Sequence, residues 1–453
     1  MDSNKDQLEQ IMSKIHADDV KFIRFEQTDI YGVARSKTVP VKHFTKKAIY
    51  GINFALTTLG YDPQGQCTPG TGFLFESGST DALMFPDLDT FITIPWCKNT
   101  GRILLEPTYK GKPVAAHPRT VARLQLDRLK DMGYSLLSAH EHEFYVADKN
   151  TLEPFILGQN IRSTIRNYKD PELVHQLLTD LPQADIDVET YESEHDPGQL
   201  EITYTPSFGV KSADTAHTFR TSVKEIASQH GYIASFMTKP WAHSTRSACH
   251  FNHSLWDING ENNLMMDNRN PDSLSDVARH WLAGILAHAP AVSLLMAPTI
   301  NCLKAFEPSS TSINPVNATW GFDNRTTALR VKVGDTGAYI ENRICSGGAN
   351  PYLTLAATVA AGIDGIQNQM EPPPHVNGNA YDPDNIPTKT PILPSNMKTA
   401  LENLSNDNII CEALGDEFVK CFVAHKLHEL CMENEAKAKG DTDWERNLFF
   451  EYL

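Results

Sequence analysis

The run HEHEFYV at 140–146 sets Glu141 and Glu143 two residues apart, and a strand turns such a pair to one face. Carboxylates converging on one face repel each other or are forced to protonate unless a counter-charge joins them. Three more stretches carry candidates for that face. Glu194 and Glu201 bracket a Pro-Gly turn in ESEHDPGQLEI, where the chain can double back and bring both carboxylates together. His250 in ACHFNHSLW and Glu341 in AYIENRI occupy further strand-like segments. Oxygen-rich ligation with one imidazole suits a hard divalent cation, Mg²⁺ or Mn²⁺, and disfavours a thiolate zinc site. Taken singly, each glutamate reads more simply as a solvated strand residue, and Glu-x-Glu alone is a weak signal.

The rest of the chain bounds the setting. Its 453 residues can bury a large core and divide into two or three domains. A formal net charge of -16, with Lys and Arg scattered, excludes a nucleic-acid partner. Eight dispersed cysteines without a C-x-x-C pair fit reduced thiols. The N-terminus MDSNKDQLEQ has no secretory pattern. The longest apolar run, WLAGILAHAPAVSLLMAP, carries His288 and Pro290 and is expected to be a buried helix broken at Pro290, not a membrane span. These features lead to the expectation of a cytoplasmic protein with no membrane partner.

Along the chain, residues 7–16 form an amphipathic helix, and VKFIRFEQTD and GVARSKTVP read as strands flanking a turn near Asp29–Gly32. A new regime opens at His117: Pro118 suits a first helical turn, Val121, Leu124, Leu129 and Met132 recur at helical spacing, and Gly133 closes the helix. Helices then alternate with strands bearing the acidic residues. The expected division is a small β-rich domain over residues 1–107 and a large α/β domain over 108–453. The proline-rich stretch 371–394 is expected to be an extended loop. The fold class is α+β.

Phrases spread through nearly the whole chain resemble the glutamine synthetase family, of the bacterial-type class I architecture. In order they are TDIYGVARSKTVP, FPDLDTFITIPW, HPRTVARLQLDRL, EHEFYV, ESEHDPGQLEI, CHFNHSLW, GILAHAPAVSLLMAPTINCLK, WGFDNRTTALR and ENRICSGGANPYLTLAATVAAGIDGI. The resemblance implies an N-terminal β-grasp domain followed by the catalytic-type α/β domain. It also implies a homo-oligomer, a dodecamer of two stacked hexameric rings with sites shared between neighbours. In the family, ATP phosphorylates the glutamate side chain and ammonia displaces phosphate, with two divalent cations neutralising the phosphates. Aligning the phrases assigns Glu141, Glu194 and Glu201 to one cation, and Glu143, His250 and Glu341 to the other. Arg325, Arg330 and Arg343 stand at family arginine places that bind substrate or phosphate.

Other positions depart from the family pattern. Ala55 replaces the aspartate that helps deprotonate ammonium, and Thr311 replaces the flap glutamate. No catalytic residue is therefore expected. Ala305 stands where an arginine holds the substrate carboxylate, and Arg246 where a glycine lines the glutamate pocket. Asn252 replaces a nucleotide-side histidine and Tyr339 a nucleotide-side arginine, which argues against productive ATP binding. An intact scaffold with a damaged site resembles the inactive lens branch of the family. That implies a non-catalytic structural or chaperone-like oligomer of the eye lens, with intermediate filaments as partner. The competing reading is an ATP-dependent γ-glutamyl–amine ligase with an altered substrate, which Ala55 and Thr311 fit and the other four departures do not.

Overall fold

Asp29 organises the first hairpin. Its carboxylate accepts hydrogen bonds from the backbone N–H groups of Tyr31 and Val33, both at 2.9 Å, and pairs with Arg35. The turn joins β1 (Phe22–Thr28) to β2 (Ala34–Pro40), as the flanking patterns predict. With β3 (Ile52–Ala55), β4 (Asp81–Pro86), β5 (Ile92–Thr93), β6 (Thr100–Tyr109) and β7 (Lys112–Pro113), they make a seven-stranded sheet. Its main order is β2-β1-β6-β4-β3, with β1 and β6 parallel. The sheet's last strand ends at Pro113, so position 107 falls inside β6. This computed structural model describes residues 2–156, 158–270, 272–308, 313–335 and 337–453; Thr311 lies outside them.

The second sheet has nine strands: β8 (Tyr134–Asp148), β9 (Val188–Ser193), β10 (Gln199–Tyr204), β11 (Ser207–Phe208), β12 (Tyr232–Ser235), β13 (Cys249–Asp257), β14 (Trp320–Phe322), β15 (Leu329–Gly334) and β16 (Gly337–Asn342). The main path is β14-β15-β16-β13-β8-β10-β9. Strand β8 is its spine, and alternation along β8 separates two environments. His140, His142, Phe144 and Val146 are buried, with Phe144 and Val146 packed among Phe219, Val223 and Ile226 of the helix Lys211–Gln229. Glu141 and Glu143 take the opposite face.

Behind the sheets, the helices Pro118–Asp131, Asp276–Met296 and Pro351–Gln367 share a core that is continuous with that of the first sheet. The expected break at Pro290 does not occur: the helix Asp276–Met296 runs through it. Proline there removes one backbone donor, but close packing against Pro351–Gln367 holds both sides of the defect in line. A Cβ built on Gly284 would lie 2.2 Å from the carbonyl oxygen of Ala361, which shows how near the two backbones are. Residues 371–394 hold no strand and only the short 3-10 turn Pro383–Asn385, in line with the proline pattern. No helix among the described residues is long and apolar enough to cross a membrane.

Candidate metal centre

The acidic residues reach one another through strand register. Antiparallel partners point to the same side of a sheet. Here Arg330 pairs with Glu341, Glu341 with Asn252, Glu141 with His250, Glu143 with Glu201, and Glu201 with Glu192. Six strands thus contribute one row of charged side chains across a single face.

Two groups form along that row. In the first, ligand atoms of Glu141, His250 and Glu341 lie within 4.8 Å of one another. His250 Nδ1 is 3.1 Å from Glu141 Oε1 and 3.5 Å from Glu341 Oε1, and Asn252 Nδ2 donates to Glu141 Oε2 at 3.1 Å. Arg330 donates to Glu341 Oε2 at 2.7 Å, and Arg343 donates to the other oxygen. Burial would raise these carboxyls, but His250 and the arginines prevail. Glu141 is held at about 2, and Glu341 is likewise lowered. In the second group, ligand atoms of Glu192, Glu194 and Glu201 lie within 4.8 Å of one another. Glu143 adjoins it and accepts hydrogen bonds from Gln199 Nε2 and the Ala248 N–H, each at 2.9 Å.

The expected division set Glu141 with Glu194 and Glu201, and Glu143 with His250 and Glu341; the grouping here differs from it. Glu141 joins His250 and Glu341, whereas Glu143 faces Glu201 across β8 and β10. Residues two apart on a strand are roughly 6–7 Å apart, so each meets whatever its own register supplies. The phrases in sequence carry no register, so they could not settle the division. Glu192 was missed altogether. It lies on β9, whose alternation is mostly solvated, and a glutamate there has no distinguishing mark in sequence.

The second group fits a hard cation. Glu201 is 8 % exposed and its carboxylate has no hydrogen-bond donor among the described residues. Burial together with the charges of Glu141, Glu143 and Glu194 pushes Glu201 up to about 10. Burial and the charge of Glu194 push Glu143 up to about 8. A divalent cation would relieve that repulsion directly.

The departing positions are placed as follows. Ala305 is buried in the turn Lys304–Phe306. Arg246 is buried, and its Nη2 donates to the carbonyls of Ile344, at 2.6 Å, and Cys345, with the guanidinium 5.8 Å from the Phe306 ring centre. Its charge is therefore spent on the protein's own backbone. Asn252 has turned to the metal face through Glu141, and Tyr339 is half-exposed at the start of β16. Ala55 ends β3, Arg330 and Arg343 bracket Glu341, and Arg325 is exposed in the turn between β14 and β15.

Residues 115–447 match the family model for the glutamine synthetase catalytic domain. The chain belongs to the glutamine synthetase family. It is 36% identical to lengsin of Canis lupus familiaris, over 100% of this chain and 77% of that protein. It is 30% identical to the glutamate–isopropylamine ligase of a Pseudomonas species, over 96% of each. Among solved structures it resembles a GmaS/ADP complex with a TM-score of 0.84 at 26% identity, covering 96% of this chain and 98% of that one. Enzymes of the glutamine synthetase family use ATP and divalent metals, and its members typically form homo-oligomers.

Proposed function

We propose that this glutamine synthetase family member is a cytoplasmic, non-catalytic oligomer of lengsin-like character that still holds a divalent cation. The observation that carries the proposal is Arg246. A family pocket glycine is replaced by a buried cation bonded to Ile344 and Cys345 and facing Phe306. In this reading the guanidinium, held by the protein's own carbonyls, takes the space that the family's glycine leaves for a glutamate substrate. Ala305, 1% exposed, offers only a methyl group where a carboxylate clamp belongs, and charge-assisted bidentate pairs are among the strong ones. Loss of a positioned proton acceptor costs about 10²–10⁴ in rate, which makes Ala55 a further handicap.

In this reading the first sheet, through Pro113, belongs to the β-grasp domain, the chain after it is the catalytic-type domain, and twelve chains form two hexameric rings. The eight free cysteines agree with a reducing compartment. Cations bound among Glu141, Glu143, Glu194, Glu201, His250 and Glu341, one at each group, stabilise the fold without turnover. Arg330 and Arg343 balance Glu341 and need no substrate to explain their position.

A second reading, an ATP-dependent γ-glutamyl–amine ligase, draws support from one observation. The chain matches the isopropylamine ligase along almost its full length. One assay separates the two. The purified protein is given ATP, Mg²⁺ or Mn²⁺, glutamate, and ammonia or a panel of primary amines, and ADP is measured. A non-catalytic protein gives no ADP above background while its assembly stays intact. Release that depends on one amine overturns the first reading and selects the ligase.

A further inference from the structure

We propose that Glu192 is an additional carboxylate ligand of the cation held by Glu143, Glu194 and Glu201, and that Arg162 competes with the cation for it. The inference rests on the proposed retention of a divalent cation. Glu192 is the cross-strand partner of Glu201, and one oxygen from each of Glu192, Glu194 and Glu201 falls within 4.8 Å of the others. Glu201 supplies the independent sign of a ligand. It is more than nine-tenths buried, points into this cluster, and meets no donor among the described residues.

Glu192, by contrast, is engaged. Arg162 Nε donates to its Oε2 at 2.5 Å and Arg162 Nη2 to its Oε1 at 2.7 Å. The Arg162 backbone is tied down, its N–H donating to the Ser193 carbonyl at 2.9 Å. Its side chain is 54% exposed, so the guanidinium can leave for water while the loop stays in place. Water screens the Arg162 side of this bidentate pair, and a charge-dense cation competes with it for the same carboxylate. Four carboxylates against one arginine leave this end of the row strongly negative. Across the sheet, Arg330 and Arg343 already pair with Glu341.

The test titrates the full-length protein with MnCl₂ alone and follows binding by calorimetry, using Glu192→Gln, Arg162→Gln and Glu201→Gln. A ligand role makes the two partners behave oppositely: Glu192→Gln weakens Mn²⁺ binding by about tenfold or more, and Arg162→Gln tightens it by removing a competitor. A nearby charge that does not ligate gives shifts of the same signs, but small ones that disappear as salt is raised, so the titration is repeated at high ionic strength. If the wild-type protein and Glu201→Gln differ as ligation requires, but the effect of Glu192→Gln is absent or is lost at high salt, the role of Glu192 is overturned and cation retention stands. If the wild-type protein takes up no Mn²⁺, this inference falls together with the cation half of the proposed function. The lack of turnover is judged separately, by ADP release.

Discussion

Arg246 shows how one side chain can close a site while stabilising it. Burial lowers its pKa to about 10, which leaves it charged at neutral pH, and the carbonyls of Ile344 and Cys345 accept from its Nη2. Arg246→Gly therefore leaves the Ile344 carbonyl without this donor, while that of Cys345 keeps the Cys249 N–H, and should destabilise the protein by about 1–3 kcal/mol, read as a lower urea midpoint at fixed protein concentration. If the guanidinium is also what fills the glutamate pocket, glutamate should raise the melting temperature of the variant and not of the wild type. Sequence placed this arginine near a substrate ammonium, but could not say that it turns into the backbone, because that depends on Phe306 and on the chain after Glu341. Glu141 with Glu143, and Glu194 with Glu201, could be paired from a Glu-x-Glu run and a Pro-Gly turn, whereas His250 and Glu341 were singled out only by the phrases around them. The membership of Glu192 was not legible, since it exists only through the pairing of β9 with β10.

Helix pairing carries the next level. Pro290 was expected to end a helix because the local rule counts only the lost donor and the steric clash. Tertiary packing overrides it through Gly284 and Gly365, where the helices Asp276–Met296 and Pro351–Gln367 nearly touch. A Cβ on Gly284 would meet the Ala361 oxygen at 2.2 Å and the Gly365 Cα at 2.8 Å, and neither backbone atom can yield. Gly284→Ala should cost about 1–3 kcal/mol despite alanine's better helix propensity, and a variant melting at or above the wild type would refute that packing argument. The same helix pair holds a charged clasp. His288 Nδ1 lies 2.6 Å from Asp407 and Nε2 lies 2.9 Å from Asp364, so both ring nitrogens face carboxylates. Burial opposes the charge, but the two aspartates win and raise the His288 pKa above its ordinary 6.5. A folded pKa above the unfolded one stabilises fully below the unfolded value and loses its effect as pH rises through the folded value. Melting temperature should thus fall as pH climbs from about 6.5 through that raised value, and His288→Gln should flatten the fall. A variant whose pH profile parallels the wild type would rule the clasp out.

At the scale of the molecule, a single chain leaves large apolar side chains in water: Phe75 is 83% exposed, Ile165 85% and Ile392 76%. Scattered exposed apolar groups are ordinary. These three, however, come from separate parts of the chain: the turn Phe75–Ser77, the helix Thr164–Asn167 and the proline-rich stretch 371–394. An assembly that buries distant regions against neighbours would cover them together. The alternation of strands and helices was readable from sequence. What covers these residues was not, because a subunit contact leaves no period in the chain. The metal row lies along one face of the second sheet, and in the proposed ring a neighbouring chain would complete it. Native mass spectrometry of the full chain should give a multimer, with twelve copies expected. Phe75→Ser and Ile165→Ser should shift the population toward smaller species without unfolding the subunit, because neither side chain contributes to the core. A monomer in the wild type at micromolar concentration would remove the ring assembly and, with it, the idea that a neighbour completes the site.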